Sequence, residues 1–137
     1  MDRRVTLETV QKMMQLTQKM GMEAGTFIMV GYPGENHDDI KATMDHIERC
    51  NPDLLTITRA YPIKGTALYS EIEAEITVKP DWNTSTDRDI RFKLPYSNAY
   101  YENAIRYLVN GWQAHKNKSL KNKVKSKAAY QMMRVGK

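Results

Sequence analysis

Apolar positions in the first part of the chain fall at helical spacing and then abandon it. Val10, Met13, Met14, Thr17 and Met20 share one helical face, Thr6 precedes them with an N-cap hydroxyl, and Gly21 follows with the freedom to close a helix in the left-handed conformation. An amphipathic helix is predicted there, its methionines filling a core. Residues 23–30 contain Gly-Thr-Phe-Ile-Met-Val, an apolar run with little polar alternation, which predicts a strand covered on both faces. In Gly31-Tyr-Pro-Gly-Glu35 the proline and glycines forbid regular structure and mark a tight strand-to-helix turn. Helical spacing returns at Ile40, Met44, Ile47 and Cys50. A second helix is therefore predicted from His37 to Cys50, with Asn36 as cap, Asp38 and Asp39 at its positive end, and Asn51-Pro52 as its stop.

Residues 53–61, with Leu-Leu-Thr-Ile-Thr at their centre, predict another buried strand. Strand, helix, strand makes a parallel, right-handed βαβ unit. Such units bind ligands near the carboxyl ends of their strands, where residues 31–35 and 61–66 both fall. A short helix is expected after Thr66, and Ile76-Thr-Val and Ile90-Arg-Phe predict a minor hairpin or an extended cover. Tyr101, Ala104, Ile105, Leu108 and Trp112 predict a helix over 97–116, and residues 118–133 a weakly amphipathic one. Two parallel strands expose both edges and bury too little to stand alone. The α/β unit is thus expected to dimerise, to dock on another polypeptide, or to continue a domain that begins elsewhere.

At 137 residues, 41% apolar and 27% charged, the chain has the size and composition of one ordinary globular domain. No apolar run reaches the length of a membrane span and the first residues have no apolar leader character, so a cytoplasmic protein with no membrane partner is expected. The net charge of +5 is unevenly spread. Residues 116–137 hold eight basic and no acidic side chains, leaving thirteen basic against sixteen acidic in the rest. A lysine-rich segment near Trp112 and Tyr130 gives one functional alternative, a small basic interaction module that binds nucleic acid or a protein through this tail. The plainer expectation for residues 116–137 is a solvated, partly frayed helix. A single cysteine, Cys50, excludes an internal disulfide and any zinc or iron-sulfur site built from several thiolates of this chain. His37, Asp38 and Asp39 have no second histidine at ligand spacing, so neither a metal site nor a catalytic residue is assigned.

Phe27-Ile-Met-Val-Gly-Tyr-Pro-Gly-Glu35, followed by Asp39-Ile40 and by Pro62-Ile-Lys-Gly-Thr66-Ala-Leu-Tyr69, resembles the C-terminal half of a radical SAM barrel. The branch most similar is that of cobalamin-binding iron-sulfur oxidoreductases of the anaerobic Mg-protoporphyrin monomethyl ester oxidative cyclase type. The likeness covers residues 3–70, and 96–112 are similar to the helix after the barrel. It implies an α/β fold with a partial (β/α) barrel over residues 1–75, a cover segment and helix over 76–115, and a basic helical tail over 116–137. It also implies a SAM-binding cleft formed by Met29, Gly31, Pro33, Gly34, Glu35, Arg59 and Tyr61. The complete enzyme would use S-adenosylmethionine and a 4Fe-4S cluster, with cobalamin as a further cofactor of the branch. Phe27 and Met29 depart from the family's usual strand residues, and the Cys-x3-Cys-x2-Cys cluster motif is absent from these 137 residues. The chain alone is therefore expected to be inactive, its partner being the missing N-terminal half of the barrel or a second copy. A ligand-free dimeric α/β protein is the plainest reading.

Overall fold

Helix ends in this protein are set by side chains placed beside them. The computed structural model describes residues 5–78, 81 and 83–136. Helix α1 (Leu7–Lys19) starts where the Thr6 hydroxyl accepts the Thr9 N–H at 3.2 Å. After strand β1 (Gly25–Val30), helix α2 (His37–Cys50) opens with a closed capping box. Asn36 accepts the Asp38 and Asp39 N–H groups, and Asp39 Oδ2 accepts the Asn36 N–H at 2.8 Å. Asn51, in the left-handed region at φ 44°, ends it.

Strand β2 (Leu54–Arg59) pairs parallel to β1, with Phe27 opposite Thr56, Ile28 opposite Ile57 and Met29 opposite Thr58. Helix α3 (Ala67–Ile72) leads to a separate antiparallel hairpin of β3 (Ile76–Val78) and β4 (Arg91–Phe92). Helices α4 (Asn98–Asn117) and α5 (Leu120–Val135) complete the chain. The fold is mixed α/β, and no barrel closes among the described residues.

Ile28, Leu55 and Ile57 pack against a core of buried residues from β1, α2, α4 and α5 that includes Val30, Ile40, Ile47, Leu108 and Met133. The opposite sheet face is open: Phe27 and Leu54 are each 59% exposed and Met29 39%. The expectation of strands covered on both faces is corrected accordingly. Apolar side chains stand on both faces of these strands, but the helices lie on one. Two further corrections concern methionines: Met13 and Met20 are exposed, and α1 turns Met14 inward against Ala24 and Cys50.

The basic C-terminal helix is not a frayed one. A left-handed Lys118 and the Ser119 cap turn the chain back, and α5 runs antiparallel along α4 until Ser97 Oγ donates to the Gly136 carbonyl at 2.7 Å. Gly111 is the notch that lets three helices meet. A Cβ there would stand 2.6 Å from the Met44 sulfur, and Ser126, donating to the Tyr107 carbonyl at 3.0 Å, lies alongside. The aromatic residues near the lysines are also committed. Trp112 Nε1 donates to the Pro52 carbonyl at 2.9 Å, and the Tyr130 hydroxyl meets His37 Nε2 at 3.1 Å.

At the amino end of β2, Asp53 gathers three elements. Its carboxylate accepts the Ala24 N–H at 3.0 Å, the Gln18 amide at 3.1 Å and Lys116 Nζ at 2.6 Å. The Ala24 amide first, then the Lys116 and Gln18 bonds, hold its pKa down to about 2. A depressed carboxylate stabilises the fold above its unfolded pKa and ceases to as pH falls through the folded value. Urea midpoints of the parent and of Asp53→Asn are thus expected to differ at pH 5 and to converge between about pH 4 and pH 2. A gap that stays constant across that window would remove Asp53 from the acid response.

Candidate functional site

Both strands end in turns whose conformations follow from their residues. Beyond Val30, Gly31 has φ 81° and Gly34 φ 84°, values that L side chains rarely adopt. Pro33 and Gly34 form the corners of a turn closed by the Glu35 N–H on the Tyr32 carbonyl at 3.0 Å, and a proline followed by a positive-φ glycine is the type II pattern. Glu35 then folds back: its Oε1 accepts the Gly31 N–H at 3.0 Å. Burial raises the pKa of this carboxyl, Asp39 raises it further, and the Gly31 bond opposes both. A Cβ on Gly31 would touch the Tyr101 ring and Leu94, so this close approach serves packing within the protein, while Gly34 has open space around it.

At the end of β2, Ala60 N–H extends the ladder to the Val30 carbonyl at 2.7 Å. Arg59 leaves the sheet toward α4, where its guanidinium donates to the Asn98 side chain at 2.9 Å and to the Asn98 carbonyl at 3.1 Å. It also lies 5.9 Å from the centre of the Tyr101 ring. The next turn is anchored by the Lys64 N–H on Asp87 at 3.0 Å and by Thr66 on the Ile63 carbonyl.

A cavity of about 800 Å³ lies beside these strand ends. Residues 56–61 line it consecutively, so it follows the unpaired edge of β2, with Phe27 reaching it from β1. Arg91 and Phe92 of the hairpin and Asn98 and Glu102 of α4 form the opposite wall. Of the expected cleft residues, Arg59 and Tyr61 line this cavity. Met29 faces the open sheet side, and Gly31, Pro33, Gly34 and Glu35 build the neighbouring turn without lining the cavity. Asn98, Glu102 and Arg91 escaped the sequence reading, because their approach to β2 is set by tertiary packing.

No family model matches the chain, and no curated protein matches it either. Its site is therefore judged on its own chemistry.

A clasp of aromatic rings supports the Gly31–Glu35 turn from below. Tyr96 stacks on Tyr100 with ring centres 4.2 Å apart, and Tyr101 meets Tyr100 edge-on at 5.2 Å. The Tyr100 hydroxyl lies 3.3 Å from His37 Nδ1. Burial drives the Tyr101 phenol up to about 12, with Glu35 and Tyr96 adding to it, so this ring serves as a neutral packing group.

Cys50 lies elsewhere. Its sulfur is 3.5 Å from His46 Nε2 on the α1 side of α2, 1% exposed, and burial pushes the thiol pKa up. Burial of this kind makes a thiol a poor nucleophile. Among the described residues no group of three His, Cys, Asp or Glu side chains is placed to hold a metal ion.

Proposed function

We propose that this chain is the C-terminal portion of a radical SAM iron-sulfur oxidoreductase, contributing part of the SAM and substrate cleft while the cluster cysteines reside on another segment. The observation that carries the proposal is the one-sided sheet. Among the described residues the two parallel strands pack their core helices against one face, leave Phe27, Met29 and Leu54 exposed on the other, and pair with no further strand at either edge, and both expected turns stand at the same end. Open faces and edges of this kind suit a partial (β/α) barrel awaiting further strands.

The cavity suits a nucleoside-sized ligand. About 800 Å³ is within the usual range for small-molecule sites, and its lining combines the Phe27 ring, the Thr56 and Thr58 hydroxyls, the Arg59 guanidinium and the bare backbone edge of β2. Those residues would hold the base, hydroxyl and charged parts of S-adenosylmethionine. The cluster is another matter: a single buried cysteine, Cys50, does not fit it. For cobalamin and for the substrate, this chain offers no residue set that singles one out.

The test is genetic and biochemical. Reading the DNA on the 5′ side of this coding segment, then coexpressing the segment found there, is expected to reveal Cys-x3-Cys-x2-Cys. Anaerobic cleavage of S-adenosylmethionine should require both polypeptides. Absence of that motif from the neighbouring DNA, or a stable four-iron cluster assembled on this chain alone, sinks the proposal.

A further inference from the structure

Helix α5 has two apolar sides, and the core uses only one. Ser126, Ala129 and Met133 are buried against α4 and α2. On the far side, Leu120, Val124, Ala128 and Met132 recur every fourth residue and Val135 continues the ridge. They point away from the protein: Leu120 is 78% exposed, Val124 68%, Met132 58% and Val135 88%. This ridge is about 22 Å long at the rise of an α-helix. Cations flank it on both sides at helical spacing. Lys123, Lys127 and Arg134 stand along one border and Lys121 and Lys125 along the other, all exposed, with no acidic residue in the helix.

We infer that this ridge lies flat on an anionic lipid surface. The inference does not rest on the proposed cleft. An exposed aliphatic line bordered by lysines matches what an interfacial helix presents: side chains that enter the headgroup boundary, and long cationic stems that reach back to lipid phosphates. Charge selects among occupants. A second copy would bring five cations against five cations. Nucleic acid would satisfy the lysines but set Leu120, Val124 and Val135 against solvated phosphates. A protein groove that engulfs a basic helix needs its whole circumference, and here Met133 and Ala129 already hold one side in the core. A surface touching only the outward third of the helix meets both demands. Among the described residues no helix is long and apolar enough to cross a membrane, and a ridge seated in this way rests on the lipid surface.

Cosedimentation of the full chain with vesicles tests this. Vesicles of phosphatidylcholine containing about one-third phosphatidylserine are expected to bind it at least tenfold more tightly than pure phosphatidylcholine, because each cation near an anionic surface contributes about a fivefold gain. Val124→Asp and, separately, Ala128→Asp are expected to weaken that binding about tenfold, with circular dichroism and urea midpoint unchanged since both positions face solvent. Failure to bind the anionic vesicles overturns the inference. So does equal binding by the parent and both variants, and so does a duplex RNA that binds all three alike while vesicles bind none.

Discussion

Ending the chain before Ser119 is expected to unfold the protein. Met133 is wholly buried in the same cluster as Val30, Ile40, Tyr100 and Leu108, and the α4–α5 contact is the largest in the molecule. Removing α5 takes away Met133 and uncovers the α4 side of that cluster. At roughly 1.5–3 kcal/mol for each large apolar side chain brought back to solvent, the loss is on the order of 5 kcal/mol or more. Small domains have about 5–15 kcal/mol in total. The shortened chain should therefore lose its dispersed amide NMR spectrum and its cooperative urea transition. A truncated protein that kept the parent's urea midpoint would return α5 to the status of an appendage.

The difficulty of seeing this from sequence is physical. The buried stripe of α5 is Ser126, Ala129 and Met133, thin and partly polar, because a small side chain at 126 is what allows α5 to approach Gly111 so closely. The more hydrophobic line, Leu120 through Val135, faces outward. Hydropathy periodicity reports the stronger stripe and cannot say which way it points. A similar ambiguity hid the one-sidedness of the sheet. In β1, Phe27 and Met29 are apolar on the open face and the run imitates a strand buried on both sides, whereas in β2 the alternation of Leu55 and Ile57 with Thr56 and Thr58 does mark that face.

Other features were legible because their causes are local. Thr6 and Asn36 cap helices through bonds to residues two or three positions ahead, and Pro33-Gly34 specifies its turn through its own dihedral preferences. Arg59 and Tyr61 line the cavity at the end of β2, the place where open α/β sheets hold their ligands. Asn98 and Glu102 come from a helix far along the chain, so tertiary packing alone decides that they reach the cavity.

Tyr100→Ala is the point substitution expected to cost most. Its ring is wholly buried and is held from three directions, by Tyr96 stacked on one face, by the edge of Tyr101, and by His37 at the hydroxyl. His37 also meets Tyr130 on α5, so the ring sits where α2, α4 and α5 converge beneath the Gly31–Glu35 turn. Truncating a buried aromatic to alanine costs about 3–5 kcal/mol, the transfer of the ring plus the cavity left behind. Tyr100→Phe keeps the ring and loses only its hydroxyl contact with His37, about 0.5–1.5 kcal/mol. The two costs separate packing from hydrogen bonding. Urea titrations of both variants should show a shift for alanine at least twice that for phenylalanine, because the stack with Tyr96 and Tyr101 survives only in the second. Equal shifts would mean that the histidine contact, and not the aromatic stack, holds the turn above it.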